Sequence, residues 1–132
     1  MILTPTYHVF DMYKVHQDAV LQPTEIISDK YRFGEEEVRQ VSVSASRDAE
    51  GKLNVTLCNC SPANAARVRI ETEGFRAGSV KGTVLSGEAM NSRNTFDRPD
   101  AVRPQPFTAA RIEGEEIYAS LPPMSVVLLT LE

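Results

Sequence analysis

The sequence VSVSASRDAEGKLNVTLCNC, residues 41–60, decides the fold class. Its first half alternates valine or alanine with serine over residues 41–46, and its second half places apolar side chains at 53, 55 and 57. Period-two alternation is typical of a strand with one buried face. The five residues between the halves, 47–51, end in glycine, as longer hairpin loops often do. The stretch therefore predicts two antiparallel strands.

Further short strands are predicted on both sides of this pair. Strand patterns recur over residues 66–73, 80–87, 107–112, 116–121 and 124–131, and a short β-rich run covers 24–29. Residues 31–37 are predicted to be an exposed connection. Four apolar residues in succession, Val126 to Leu129, indicate a central strand covered on both faces. Seven or eight short strands with regular turn signals predict an all-β fold, an antiparallel, jelly-roll-like β-sandwich.

One helix is predicted before the sandwich. Thr4 followed by Pro5 is a helix-start signal, and about four turns should follow. Apolar side chains, including Tyr7, Phe10 and Tyr13, fall around most of the helix circumference, which is typical of a helix buried on more than one side. A terminal helix on a small domain can pack against that domain with one face only, so its other face is predicted to contact something outside this chain. The alternative is that Tyr7 and Tyr13 simply remain half exposed.

Composition excludes several classes of partner. The chain has 132 residues, enough for one domain with an ordinary core. Its 14 basic and 18 acidic residues give a net charge of −4, and no basic cluster is interleaved with aromatics, so nucleic acid is not expected as a partner. No apolar run approaches the ~20 residues of a membrane span, and the start lacks a secretory signal. A cytoplasmic location without membrane contact is expected.

Few residues are candidates for a disulfide or a metal site. Cys58 and Cys60 lie on one strand face at about 6.5 to 7 Å, too far for an unstrained disulfide, and are interpreted as small buried hydrophobes. His8 and His16 would lie about 12 Å apart along a helix, so they cannot share a metal ion. We therefore expect structural roles for these side chains, without a metal site or a cofactor.

A pair of carboxylates and a few aromatic residues raise two further possibilities. Glu71 and Glu73 have about the spacing of a glycosidase pair, but they alternate with an apolar face and should point into water. No catalytic residue is therefore predicted. A sugar-binding module would need exposed aromatic rings. The chain has no tryptophan, and the only aromatic residues available for stacking on a sugar are Tyr31, Phe33, Phe96 and Tyr118.

A polar segment of about 19 residues, 88–106, separates the predicted strands of the second half. Loops of this length in compact domains are usually functional or packed against a neighbour. Together with the helix, it supplies the predicted interface residues: Tyr7, Phe10, Tyr13, Asn91, Arg93, Asn94 and Phe96.

The sequence TPTYHVFDMYKVHQDA, residues 4–19, resembles the segment that closes the barrel of intracellular-type α-L-arabinofuranosidases, the family fifty-one glycoside hydrolases. Three further stretches are similar to that family: residues 43–48 with Gly51 and 55–57; residues 85–87 with Asn91, 94–96 and Pro99; and residues 121–127. The resemblance implies a parent enzyme with a (β/α)₈ barrel and a retaining mechanism, which releases terminal arabinofuranose from arabinan and arabinoxylan fragments. Its two catalytic glutamates belong to barrel strands upstream, and no position here matches their motifs.

The resemblance also implies a domain division. Residues 1–21 would be the last helix of the barrel, and residues 22–132 the C-terminal sandwich. The expected partners are the upstream catalytic barrel of the same polypeptide and a homo-oligomer. An independent carbohydrate-binding or protein-interaction module is the alternative that the sequence leaves open.

Overall fold

A computed structural model describes residues 3–28, 30–72, 75–87, 92, 94–98 and 101–132, without the side chains of Lys30, Tyr31 and Phe33. Helix α1 (Pro5–Tyr13) and a 3-10 turn (Lys14–His16) come first. The strands that follow are β1 (Val20–Gln22), β2 (Lys30–Phe33), β3 (Glu36–Arg39), β4 (Val41–Arg47), β5 (Leu53–Asn59), β6 (Ala66–Glu71), β7 (Val80–Ser86), β8 (Gln105–Pro106), β9 (Ala110–Glu113), β10 (Glu116–Leu121) and β11 (Ser125–Leu131).

These strands form a sandwich of two antiparallel sheets and a separate hairpin. The larger sheet has the order β1-β4-β5-β11-β7-β8, and the smaller has the order β6-β10-β9. The pair β2-β3 belongs to neither sheet. The predicted antiparallel β-sandwich with one helix at its start is therefore confirmed. The predicted strand pair at 41–60 is also correct, and its register sets Val43 opposite Leu57.

Apolar residues of β4, β5 and β11 meet those of β10 to form the main core between the sheets. β11 lies between β5 and β7 and is covered on both sides, as predicted. Its residues Val127, Leu129 and Leu131 are fully buried in the main core. Val126 and Leu128 pack on the opposite side, in a second cluster that contains the helix residue Met12. The helix therefore covers the outer face of the larger sheet.

Helix α1 begins as predicted but ends earlier. The Thr4 hydroxyl accepts a hydrogen bond from the Tyr7 amide at 3.1 Å, and Pro5 occupies the first turn. After nine residues the chain tightens into the 3-10 turn, and Asp18 takes a positive φ of 59°. The expected four turns were too many, because the chain must turn here to enter β1 at the edge of the larger sheet.

Two local predictions in the segment after the helix were wrong. Residues 24–28 form no strand; the edge strand is β1, only three residues long. Residues 31–37 are not a connection but most of the β2-β3 hairpin. Gly34 has a φ of +62°, which allows the tight turn between Phe33 and Glu36. Charged residues dominate β2 and β3, so no apolar alternation marks either strand.

Candidate interface surface

The inner side of α1 is packed against the larger sheet. Met12 is buried among Leu85 and Val102, and Val9 and Tyr13 lie partly buried against the same cluster. His8 is also buried. This side of the helix needs no further partner.

The outer side of α1 leaves large aromatic side chains in solvent. Tyr7 is 50% exposed and Phe10 is 74% exposed. Phe96, in the nearby loop, is 90% exposed. We refer to Tyr7, Phe10 and Phe96 as the aromatic surface. Single exposed apolar residues are ordinary, but aromatic rings concentrated on one helix and its adjoining loop are typical of an interaction site.

Asn94 attaches the loop that carries Phe96 to the start of the helix. Its side-chain amide donates to the carbonyl of Leu3 at 2.6 Å and to that of Val102 at 2.8 Å. Its Oδ1 accepts from the Val102 amide at 2.6 Å. Because the bond to Leu3 joins segments 91 residues apart in sequence, Asn94 fixes the position of the loop relative to the helix.

We expect Asn94→Ala to lower the free energy of unfolding by about 2 kcal/mol, because it leaves backbone groups of Leu3 and Val102 without their partner. Urea unfolding measures the loss, and hydrogen exchange should show a less protected Val102 amide. Asn64→Ala is the matched control: Asn64 is exposed, and Gln40 and Asn59 bond only to its backbone carbonyl. Equal losses in both variants would contradict the role given to Asn94.

His16 anchors the far end of the helical segment to the sheet. Its Nδ1 lies within hydrogen-bond distance of the Ser46 hydroxyl, and its Nε2 lies 3.0 Å from the Thr56 hydroxyl. Both hydroxyls are buried. These two partners of His16 were not predicted from the sequence. The available signal was that Ser46 and Thr56 share the polar face of β4 and β5, opposite the alternating apolar residues. Partial burial lowers the pKa of His16 below 6.5.

This pKa shift predicts a pH dependence of stability. Because the folded-state pKa lies below the unfolded-state pKa, protonation of His16 favours the unfolded chain. Its contribution is complete above the unfolded-state value and is lost as the pH falls through the folded-state value. Unfolding titrations between about pH 7 and about pH 5 should show a flatter slope for His16→Gln than for the natural chain. Parallel slopes would contradict this account.

The other predicted interface residues are placed as follows. Tyr13 is partly buried, and its ring meets the His16 ring edge-on, with centroids 5.8 Å apart. Asn94 supports the loop rather than lying fully exposed. Asn91 and Arg93 lie outside the described residues. The structure thus brings Tyr7 and Phe10 to one helix face and attaches the Phe96 loop to the same helix.

The remaining sequence candidates form no reaction centre in the described part of the chain. Glu71 is exposed and pairs with Arg69 at 3.2 Å, whereas Glu73 lies outside the described residues. Cys58 and Cys60 are free thiols and are partly exposed, not buried as predicted. Burial still raises the pKa of the Cys58 thiol.

In the described ranges, no three His, Cys, Asp or Glu side chains come together in a way that could hold a metal ion. No helix there has the length and apolarity that crossing a bilayer requires. The fold and its exposed aromatic side chains define a β-sandwich domain with a candidate interaction surface.

Comparisons with known proteins give this domain a family. Residues 1–125 match the family model described as the α-L-arabinofuranosidase C-terminal domain. The chain belongs to this family, so the sequence resemblance is confirmed. It is 34% identical, over its whole length, to an intracellular exo-α-L-arabinofuranosidase from Bacteroides ovatus, of which it covers 26%.

Solved structures of arabinofuranosidases contain a domain with the same fold as this chain. The GH51 arabinofuranosidase from Xanthomonas axonopodis pv. citri is 37% identical with a TM-score of 0.97, over all of this chain and 27% of that one. An α-L-arabinofuranosidase from Thermotoga maritima, solved as an arabinose complex, is 25% identical with a TM-score of 0.84, over 99% of this chain and 29% of that one. The chain thus spans about a quarter of the length of these relatives.

Proposed function

We propose that this chain is the noncatalytic C-terminal domain of an α-L-arabinofuranosidase and braces the catalytic barrel of the same polypeptide through the aromatic surface. The observation that carries this proposal is the contrast between the two sides of α1. One side is packed on the sheet, while the other presents Tyr7 and Phe10 to solvent. Burying two aromatic rings in a contact between domains is worth several kcal/mol, so this side is suited to a neighbouring domain.

The domain is built to hold such a contact rigidly. Asn94 joins the loop to Leu3 at one end of the helix, and His16 joins the other end to Ser46 and Thr56 on the sheet. A surface fixed at both ends loses little conformational freedom when it docks. Bracing therefore needs no rearrangement of this domain.

The relatives supply the context for the parent protein. They are named as arabinofuranosidases, and the chain covers only 26% to 29% of the three described here. We infer that the remaining length contains the barrel and its two catalytic glutamates, which release terminal α-L-arabinofuranose from arabinan or arabinoxylan fragments. Residues 1–21 would then close the barrel, and residues 22–132 would form the accessory sandwich, to whose edge Val20 and Leu21 also pair through β4. The relative from Bacteroides ovatus is named as intracellular, which supports a cytoplasmic location.

An independent sugar-binding module has less support. The Arg111 guanidinium lies 5.2 Å from the centroid of the Tyr118 ring, so this ring is not an open platform for a sugar. The Tyr118 hydroxyl donates to the Glu116 carboxylate, which raises the pKa of Tyr118. Tyr118 is thus engaged by its own sheet.

Amide spectra of the isotope-labelled 132-residue chain distinguish the two functions. Addition of the separately produced catalytic domain should shift or broaden the amides of α1 and of residues 94–98. Arabino-oligosaccharides alone should cause no saturable change, and the chain alone should show no arabinofuranosidase turnover. The bracing role would be overturned in favour of the sugar-binding module if the sugars caused saturable amide shifts while the catalytic domain caused no change in the amide spectrum.

A further inference from the structure

Cys58 and Cys60 present two thiols on one face of the larger sheet. Asn59 lies between them and is buried, and its side-chain amide donates to the carbonyls of Leu121 and Pro122. Successive side chains along a strand point to opposite faces, so the cysteines on either side of Asn59 point to the outer face. Both thiols are free and partly exposed. They are therefore neighbours on a surface that a small ligand can reach.

The sheet fixes the backbone beneath both thiols. Cys58 pairs with Ser42 on β4 and with Val126 on β11. The Cys60 amide donates to the Gln40 carbonyl at 2.9 Å. Since pairing with neighbouring chain segments holds both positions, the separation of the two thiols is set by the fold before any ligand binds.

The two sulfur atoms are also close enough for the charge of one to act on the other. Burial raises the pKa of the Cys58 thiol, and the charge of Cys60 raises it further, whereas a hydrogen bond with Ser42 lowers it. Two adjacent thiolates therefore repel each other, and a cation bound between them removes that repulsion.

A disulfide does not fit this pair, but a metal ion between the two sulfur atoms does. The Cα atoms of residues i and i+2 in a strand lie about 6.5 to 7 Å apart, and a disulfide would require sulfur atoms about 2 Å apart. Two thiolates on one ion are separated by up to about 4.6 Å, which is twice a metal–sulfur distance of about 2.3 Å. Rotation about χ1 can bring the sulfur atoms to that separation without moving the backbone. We propose that Cys58 and Cys60 together bind one soft monovalent metal ion of the copper(I) class, and that each thiol loses its proton to solvent as its sulfur–metal bond forms.

Two thiolates without a third ligand favour copper(I) over other metals. In the described part of the chain no three His, Cys, Asp or Glu side chains meet at one point, whereas structural zinc sites take four ligands. Copper(I) prefers soft thiolates and can be held by two of them in a linear arrangement. Val126, which pairs with Cys58, packs against the apolar cluster beneath α1, so water is restricted on one side of the site. The site shares no residue with the aromatic surface, so this inference does not depend on the proposed function.

Titration of the 132-residue chain with copper(I) tests the proposal, without oxygen, with ascorbate as reductant and in competition with a chromophoric copper(I) chelator. The natural chain should bind one ion per chain, and X-ray absorption at the copper edge should show two sulfur neighbours. Cys58→Ser and Cys60→Ser should each weaken binding by about a hundredfold or more, because the second metal–sulfur bond is no longer formed within the same site. Bound copper should also slow the alkylation of both thiols in the natural chain, a measurement that needs no variant.

A control variant with the same number of thiols distinguishes binding by the pair from binding by any single thiol. Cys60→Ser with Ser120→Cys keeps two thiols but moves one to an exposed position on β10 in the smaller sheet, so it should bind copper as weakly as Cys60→Ser alone. Circular dichroism shows whether each variant is folded. The proposal is overturned if a folded variant binds copper as tightly as the natural chain, if only one sulfur neighbour appears at the copper, or if copper leaves the alkylation of the natural chain unchanged.

Discussion

Leu129→Ala is expected to lower the free energy of unfolding of the 132-residue chain by about 3 kcal/mol. Leu129 is completely buried between the two sheets, on the strand that pairs with both β5 and β7. Removing its side chain forfeits the transfer free energy and leaves a cavity that the paired strands cannot close; losses of about 2 to 5 kcal/mol are typical. Urea unfolding followed by circular dichroism measures the change.

Leu21→Ala is the matched control for this prediction. The same three heavy atoms are removed, but Leu21 is 78% exposed on the edge strand β1. Its effect should stay within about 0.5 kcal/mol, as for other surface substitutions. Similar losses at positions 21 and 129 would mean that the core has been placed wrongly.

Tyr7→Ser combined with Phe10→Ser is expected to shorten the heat-inactivation half-life of the polypeptide that carries the catalytic barrel by about tenfold or more. Truncating large aromatic anchors at the centre of an interface commonly costs about 2 kcal/mol each or more. Since neither ring touches the substrate in the proposed arrangement, kcat/KM at low temperature should change little. Residual activity after heating measures the effect.

The isolated chain provides the contrast for this pair of substitutions. Both rings are already exposed there, so the free energy of unfolding should change by less than about 0.5 kcal/mol. Ile27→Ser, which alters a fully exposed apolar side chain away from the helix, should leave the half-life of the polypeptide unchanged. An unaltered half-life in the Tyr7 and Phe10 variant, or an equal loss in the isolated chain, would argue against docking through α1.

The order of apolar and polar residues along the chain was enough to predict the strands that contribute a face to the core. β4 alternates over residues 41–46 and β5 over residues 53–57. The consecutive apolar residues of β11 reflect its burial under the smaller sheet on one side and under the helix on the other. The strand predictions succeeded because burial sets the period of the side chains directly. The predicted contact of α1 with something outside this chain stays a prediction.

Other features follow from long-range contacts that a local pattern does not contain. β1 is only three residues long and exists because it pairs with β4. β2 and β3 are rich in charged residues, and β3 is exposed, so no apolar alternation marks either strand. The role of Asn94 depends on Leu3 and Val102, which come near it only in the folded chain. The sequence suggested which residues lie at the interface, but it did not reveal the hydrogen bonds that hold the loop and the helix in place.

The central claim is that the aromatic surface is covered in the intact polypeptide. Hydroxyl-radical footprinting with mass spectrometry, which measures how fast solvent reaches native aromatic side chains, tests it most directly. Tyr7, Phe10 and Phe96 should be modified rapidly in the 132-residue chain and several-fold more slowly in the polypeptide that carries the barrel, while Tyr118 on the small sheet reacts equally in both. Equal modification of Tyr7 and Phe10 in the two proteins would contradict the account.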